Sequence, residues 1–484
     1  MGQKLFLGDN GFEFMESFFK ELYGDRGCYE QVLSRYLEGA DFNVPGRVIQ
    51  KVEDIPLISR QDIDSIIKYE DSKKNAIQDF ISKYEMAREK DKLNDNNYLY
   101  LASLLGVVPS VCPDNEPLYM NLLNFDSLSN DALREIHERV MKKMNVIRLM
   151  VDFLYDGFKD GMAIRIPDKG RLVWHQGNSV NYYRGEHAYF GRSQASMYRT
   201  LDGHQISREE TEIGMIKIID FALLLRKIPF VKGWPYGDVF YPGIAQHYGL
   251  KTFCIDVTKD FKVALFFACT KWDGENNKWV PLDNSDFTFD GKREYLRAKG
   301  GDPRYGILFR APSDINSFCA AYPERRGLSP VYPMGYQPFM RCEKQSAYYI
   351  SASKNYDLYQ DPTFQKLRFE LNEELCQWIY AEMDQGQAVY PKDISGDCTT
   401  IIDAIKRSNE YSEAALNDLL DTWERSSEKE EYIKRFEKLG YIMKERPEFD
   451  SNEIIERFEN EFINNGGYAF FSKRKCPFKF QFCI

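Results

Sequence analysis

Tyr182-Tyr183-Arg184-Gly185-Glu186 and, further along, Gln246-His247-Tyr248-Gly249-Leu250-Lys251-Thr252-Phe253-Cys254-Ile255-Asp256-Val257-Thr258, running on through Lys259 to Val263-Ala264-Leu265-Phe266-Phe267-Ala268, decide the fold. The first is a short aromatic run that ends on Arg-Gly and reads as a strand. The second turns at Gly249, passes through an apolar strand to Thr258, and enters a segment too apolar to face water on any side. A strand, then a second strand delivering the chain into a buried helix, is the nucleus of a sheet with a helix packed on it.

Outward from this nucleus the texture changes twice. Upstream, apolar and charged residues alternate at helical spacing, as in Phe12-Glu-Phe-Met-Glu-Ser-Phe-Phe and Leu133-Arg-Glu-Ile-His-Glu-Arg-Val. Residues 1–160 are therefore expected to form a helical N-terminal domain. Ser59 or Asp62 can start one helix and Ser129-Asn130-Asp131 another, each supplying a side-chain oxygen to a helix N-terminus. From Gly161, runs such as Met162-Ala-Ile-Arg-Ile and Arg171-Leu-Val-Trp-His mark residues 161–356 as a mixed core.

Within that core, residues 213–226 read as a helix buried on one face, and 271–304 as a polar, glycine-bearing insertion, either a lid or a surface excursion. Residues 305–310 resume the sheet. Residues 340–350 are expected as a further strand, with Arg341, Glu343 and Gln345 on one side. Residues 357–484 return to helical spacing at 370–383, 411–425 and 428–439, and Phe478-Lys-Phe-Gln-Phe suggests a closing hairpin or a docked tail. The expected fold class is α+β: a central mixed α/β core flanked by helical N- and C-terminal regions.

The bulk numbers exclude several classes. A chain of 484 residues exceeds what one hydrophobic core usually serves, and 43% hydrophobic content with 15% aromatics belongs to a folded chain. No apolar run is long enough to cross a bilayer and the N-terminus lacks a signal-like pattern, so a cytoplasmic location with no membrane partner is expected. Ten scattered cysteines without a Cys-x-x-Cys pair, and five histidines without ligand spacing, point to reduced core thiols and no metal. A net charge of -10 argues against a surface that coats nucleic acid. Lys473-Arg474-Lys475 is a local basic patch that reads as a solvated tail.

The two opening stretches resemble the FRG domain, a family named for an aromatic-Arg-Gly triplet and carrying a downstream Gln-His-Tyr-Gly-Leu-x-Thr segment, an Asp-aromatic-Thr strand end and an Ala-Leu-Phe-Phe-Ala helix. Two departures stand out. Val257 replaces the aromatic residue before Thr258, and Ser346-Ala347 replaces the second Gln and the Gly that follow the family's Arg and first Gln, here Arg341 and Gln345.

The order of an Arg-Gly on one strand, a Thr at the end of a second strand leading into a helix, and a later Glu-x-Gln resembles, more distantly, the core of the ADP-ribosyltransferase fold. What that resemblance implies is an enzyme that uses NAD. Arg184 would grip the dinucleotide with its planar fork, Gly185 would let it approach the backbone, Tyr183, His247 and Tyr248 would line the site, and Thr258 would sit beside it. Cleaving the nicotinamide-ribose bond passes through an oxocarbenium-like state, which Glu343 would stabilise by charge and Gln345 by a hydrogen bond to the ribose. The acceptor would be protein, nucleic acid or water, and a regulatory partner protein would restrain an activity suited to a prokaryotic toxin or phage-defence effector.

Each residue also has a plain reading. Arg184 pairs with Glu186 or Asp256 as an ordinary strand-end arginine, His247 is as well explained as a turn histidine as by a base, Thr258 caps the next helix, and Glu343 and Gln345 decorate an edge strand. On these readings the chain is a non-catalytic binding module for a nucleotide or partner protein.

Overall fold

The computed structural model of the chain describes residues 49–104, most of 181–445 and, outside them, residues 5–6, parts of 144–159, 162–166, 171–175, 456, 460 and 480–483. The helix start expected at Ser129-Asn130-Asp131 and the basic patch at Lys473 lie outside the described residues.

A six-stranded sheet forms the centre. Its strands are β1 (Asn181–Glu186), β2 (Cys254–Thr258), β3 (Tyr305–Pro312), β4 (Val331–Pro333), β5 (Ala347–Ser351) and β6 (Gln365–Glu370), in spatial order β6-β3-β1-β2-β5-β4. Every neighbouring pair is antiparallel. Around the sheet lie α1 (Arg60–Glu89), α2 (Arg208–Leu225), α3 (Tyr241–His247), α4 (Phe261–Cys269), α5 (Met340–Lys344), α6 (Glu373–Glu382), α7 (Glu413–Thr422) and α8 (Lys429–Lys438). The fold is α+β.

Strand alternation divides the core into layers. On one face Tyr183, Leu308, Leu367 and Phe369 bury against α4 and α6, while Cys254 and Tyr349 bury against α2 and α3. On the other face Tyr182, Ile255, Val257, Phe309 and Ile350 are covered by Ile49, Val52 and Ile55 and by Leu358, Tyr359 and Phe364. The C-terminal pair α7 and α8 closes over Ile213 and Ile216 of α2 through Leu416, Leu420 and Phe436.

Gly185 fixes how close α4 comes. A Cβ at this position would lie 1.8 Å from the carbonyl oxygen of Ala264, so the helix backbone rests directly on the strand. Only glycine leaves that room.

The helix starts follow side-chain chemistry. Ser59 and Asp62 act together rather than as alternatives: the serine hydroxyl accepts from the Asp62 amide, and the Asp62 carboxylate accepts from the Ser59 amide at 2.7 Å. The same box, Ser207 with Glu210, starts α2 at Arg208, one polar turn before the expected apolar periodicity.

Two expectations need correction, and two that stood open gain detail. Residues 340–350 are not one strand, because 340–344 wind into α5 and the chain reverses at Ser346, whose φ of 44° lies in the left-handed region, before β5 begins. Part of the expected helical C-terminal region, 365–370, is the edge strand β6, which extends the sheet past residue 356. The Phe478 stretch is a docked tail: its strand Phe480–Cys483 pairs in parallel with Leu5–Phe6 and Met162–Ile166. The 271–304 segment carries a hairpin, Thr270–Asp273 with Lys278–Pro281, and is anchored by buried Leu282 and Leu296. Among the described residues no helix is long and apolar enough to cross a membrane, and Cys254, Cys269, Cys342 and Cys376 are buried in the core.

Candidate functional site

β1 pairs with β3 along its whole length, and β2 does the same with β5, yet β1 and β2 meet at the single rung Tyr183 to Thr258. The next rung would set Gly185 opposite Asp256, and there the two central strands have parted. A split in the middle of a sheet leaves backbone groups to be satisfied by something other than a strand. Here Arg184 does it: its Nη1 donates to the Asp256 carbonyl at 2.8 Å, while its Nε donates to Glu186 at 3.2 Å.

Glu186 is held on three sides. Besides Arg184 it accepts from the Ser193 hydroxyl at 2.7 Å and the Tyr359 hydroxyl at 3.1 Å, and its side chain is only 4% exposed. Its charge is spent on organising the arginine.

A second arginine stands over the split. Arg199 follows the turn Ser196–Tyr198, is exposed, and has no hydrogen-bond or ion-pair partner among the described residues. Loss of solvation still lowers its guanidinium pKa, and Arg184 lowers it further, against the pull of Glu186, Asp256 and Tyr295. A side chain that solvent reaches while protein surrounds its head stands in a cleft. His187 shares this environment: burial first, then Arg293, Arg199, Lys271 and Arg184, push its imidazole down to about 3. Most of these cations are paired, Arg184 with Glu186, Lys271 with Asp283 and Asp286, and Arg293 with Asp286, so Arg199 is the one left without a carboxylate partner among the described residues.

Behind the split sits a buried pair. His247, the last residue of α3, is kept below its ordinary pKa by burial and by Arg341, with Asp256 and a Gln345 hydrogen bond opposing. Its Nε2 and the Asp256 Oδ1 are both buried atoms without a hydrogen-bond partner. Unsatisfied buried polar atoms are rare, and two on interacting residues mark a place where polar chemistry is concentrated. The His247 backbone is clamped: its carbonyl accepts from Arg341 Nη1 at 3.0 Å and the Tyr390 hydroxyl at 2.8 Å. The Arg341 guanidinium lies 4.1 Å from the ring centres of both Tyr248 and Tyr390.

The expected site residues scatter between this site and its scaffold. Arg184 and His247 belong to the site. Gln345 supports it, touching the His247 ring and donating to the Val389 carbonyl at 3.0 Å. Thr258 is a tie rather than a ligand group, since its hydroxyl donates to the Gln345 carbonyl at 2.7 Å and accepts from the Asp260 amide at 2.9 Å. Helix α4 is capped by Asp260, not by Thr258.

Tyr183 is core: 1% exposed, bonded to Glu70 of α1, its ring edge against Phe261. Tyr248 packs with Phe339 and Phe221 and carries Arg341. Gly185 faces a helix where a ligand had been expected. Glu343 lies on α5, two residues from Gln345 on a helix and so on a different side of it. Burial raises its carboxyl to about 7, with Lys344 pulling against that rise.

Sequence reasoning gave no site role to Arg199, His187 and Arg293, and met Glu186 only as a partner of Arg184 and Asp256 only as such a partner or as part of the strand-end motif. Arg199 and Arg293 carry no motif of their own, and only the folded chain brings them to β1.

The FRG domain family model matches residues 179–277, so the chain carries an FRG domain over the span that contains β1, β2 and α2 to α4. No curated protein and no solved structure matches the chain.

Proposed function

We propose that the β1/β2 split binds NAD and that the chain is an ADP-ribosyltransferase or NAD-cleaving enzyme. The observation that carries this reading is that Arg199, without a hydrogen-bond or ion-pair partner among the described residues, interacts with Asp256, whose Oδ1 is unsatisfied as is the Nε2 of neighbouring His247. In this reading Arg199, steered by Arg184, takes the pyrophosphate. Asp256 replaces Glu343 as the carboxylate that stabilises the oxocarbenium-like ribose as the C–N bond breaks and its electron pair leaves with neutral nicotinamide. His247, neutral because it is buried, accepts the proton of the acceptor as its oxygen or nitrogen bonds to the ribose. The acceptor is a protein, a nucleic acid or water. Toxin or phage-defence effector is the setting in which such an activity belongs, with a regulatory partner to restrain it.

The second reading, a non-catalytic module that recognises a nucleotide or partner protein, is favoured by the internal engagement of Arg184 and Glu186. One experiment divides the two. Labelled NAD is incubated with the purified protein and with Arg199→Ala and Asp256→Asn, counting free nicotinamide and ADP-ribose transferred to a cell lysate. Nicotinamide release by the wild type alone supports the enzyme. NAD binding without release by any protein supports the module, and no binding removes NAD from both.

A further inference from the structure

A groove of about 530 Å³ lies between the turn Ser196–Tyr198, the first half of α2 and the end of α7, with Tyr198, Arg208, Glu212, Lys354, Trp423 and Arg425 among its walls. Its size suits a small organic ligand. Three cations meet one carboxylate there, and that carboxylate is already answered: Glu212 is buried and accepts from Arg208 Nε at 2.7 Å and from Arg435 Nη2 at 3.2 Å. Lys354 donates to the Ile206 carbonyl and has no carboxylate partner among the described residues. Arg208 is answered by Glu212 and Arg425 by Glu428 at 3.7 Å, so what the groove offers is the ammonium of Lys354 and the outer edges of two guanidinium groups beside the half-buried indole of Trp423 and the ring of Tyr198.

A ligand that fits must bring an anionic group and a flat ring. Guanidinium and ammonium groups grip phosphate oxygens, and an indole face stacks on a heterocycle. A nucleoside phosphate has both parts in one molecule. An acidic peptide would meet the cations and leave the rings unused.

We propose that this groove is a regulatory site for a nucleoside phosphate. The route to the split is covalent: Tyr198 walls the groove, and the next residue is Arg199, whose charge interacts with those of Arg184, Glu186 and Asp256. A ligand that bears on Tyr198 resets Arg199. Binding stands by itself, whereas its effect on turnover rests on the reading of the split given above.

ATP is the probe, titrated by calorimetry into the full-length chain carrying Arg199→Ala, so that phosphate binding in the split is weakened and the groove is read separately. Saturable binding is expected, weakened about tenfold or more by Lys354→Ala and by Trp423→Leu in that background. Thermal melting checks that each variant is folded; Lys354→Ala alters an exposed side chain, so it keeps the test sharp if Trp423→Leu unfolds the C-terminal helices. Absence of saturable ATP binding overturns the proposal. So does ATP binding unchanged by Lys354→Ala, or saturable binding of polyglutamate where ATP shows none. Failure of NAD turnover with ATP binding intact removes the function proposed for the split and leaves the groove standing.

Discussion

The guanidinium of Arg184 donates to the backbone carbonyl of Asp256 at the place where a strand would otherwise bond to its neighbour. One side chain thus substitutes for a rung of the sheet, and a second arginine, Arg199, interacts with the same groups through its charge. The two arginines are separable by experiment, because one is built into the fold and the other is not.

Arg184→Ala is expected to lose both stability and any NAD binding. It strands the buried carboxylate of Glu186 and the Asp256 carbonyl, and breaking a buried pair costs on the order of 3–5 kcal/mol. Arg199→Ala is expected to keep the wild-type unfolding midpoint and still lose NAD binding at least tenfold. Urea unfolding and calorimetry on the two proteins check this. Equal destabilisation by both changes would contradict the separation.

Gly185→Ala puts a methyl group against the Ala264 carbonyl, so α4 must move off β1. A loss of about 3 kcal/mol or more is expected, at the upper end of overpacking changes, because backbone rather than a flexible side chain stands in the way. Denaturant unfolding measures it; a loss under 1 kcal/mol would show that the helix shifts freely.

Glu343 makes stability fall as pH rises. Its carboxyl releases a proton near 4.5 when unfolded and only near 7 when folded, so the folded chain is favoured below 4.5 and progressively penalised up to about 7. Glu343→Gln removes that penalty. The variant is expected to exceed the wild type by roughly 2–3 kcal/mol at pH 8, to match it near pH 4, and to leave nicotinamide release unchanged.

His187 acts with the opposite sign. The unfolded imidazole charges near 6.5, but the folded one resists until about 3, so stability is lost as pH falls below 6.5. His187→Gln should flatten the acid limb of the stability curve by at least about 1 kcal/mol between pH 6.5 and 4. Because Glu343 opposes this slope between 4.5 and 6.5, the wild-type curve alone does not resolve the two. The paired variants do.

The sequence carried the strands of the nucleus and the buried helix plainly, since strict alternation and unbroken apolar character survive without context. Residues 340–350 misled because Ser346 turns in a left-handed conformation that nothing in a polar serine announces, and the two halves of that stretch then adopt different periods. β6 was hidden because its alternation, Lys366-Leu-Arg-Phe-Glu370, is short and runs within a few residues into the helical periodicity of α6. For the site, the arginine of the motif was legible and its partner was not. Arg199 and Asp256 lie on different elements, and their meeting is decided by where two strands part.

The long pairing of β1 is with β3, whose rung Glu186 to Ile307 joins residues made far apart in time. At ordinary rates of synthesis, on the order of ten seconds separate them at the ribosome. During that interval the Arg-Gly strand has been made and its main neighbour has not, while β2 offers it one rung only. The split that gives the finished protein its cleft therefore leaves the nascent chain with an unpaired central strand, and the growing polypeptide is most in need of chaperone cover between the emergence of α4 and that of β3.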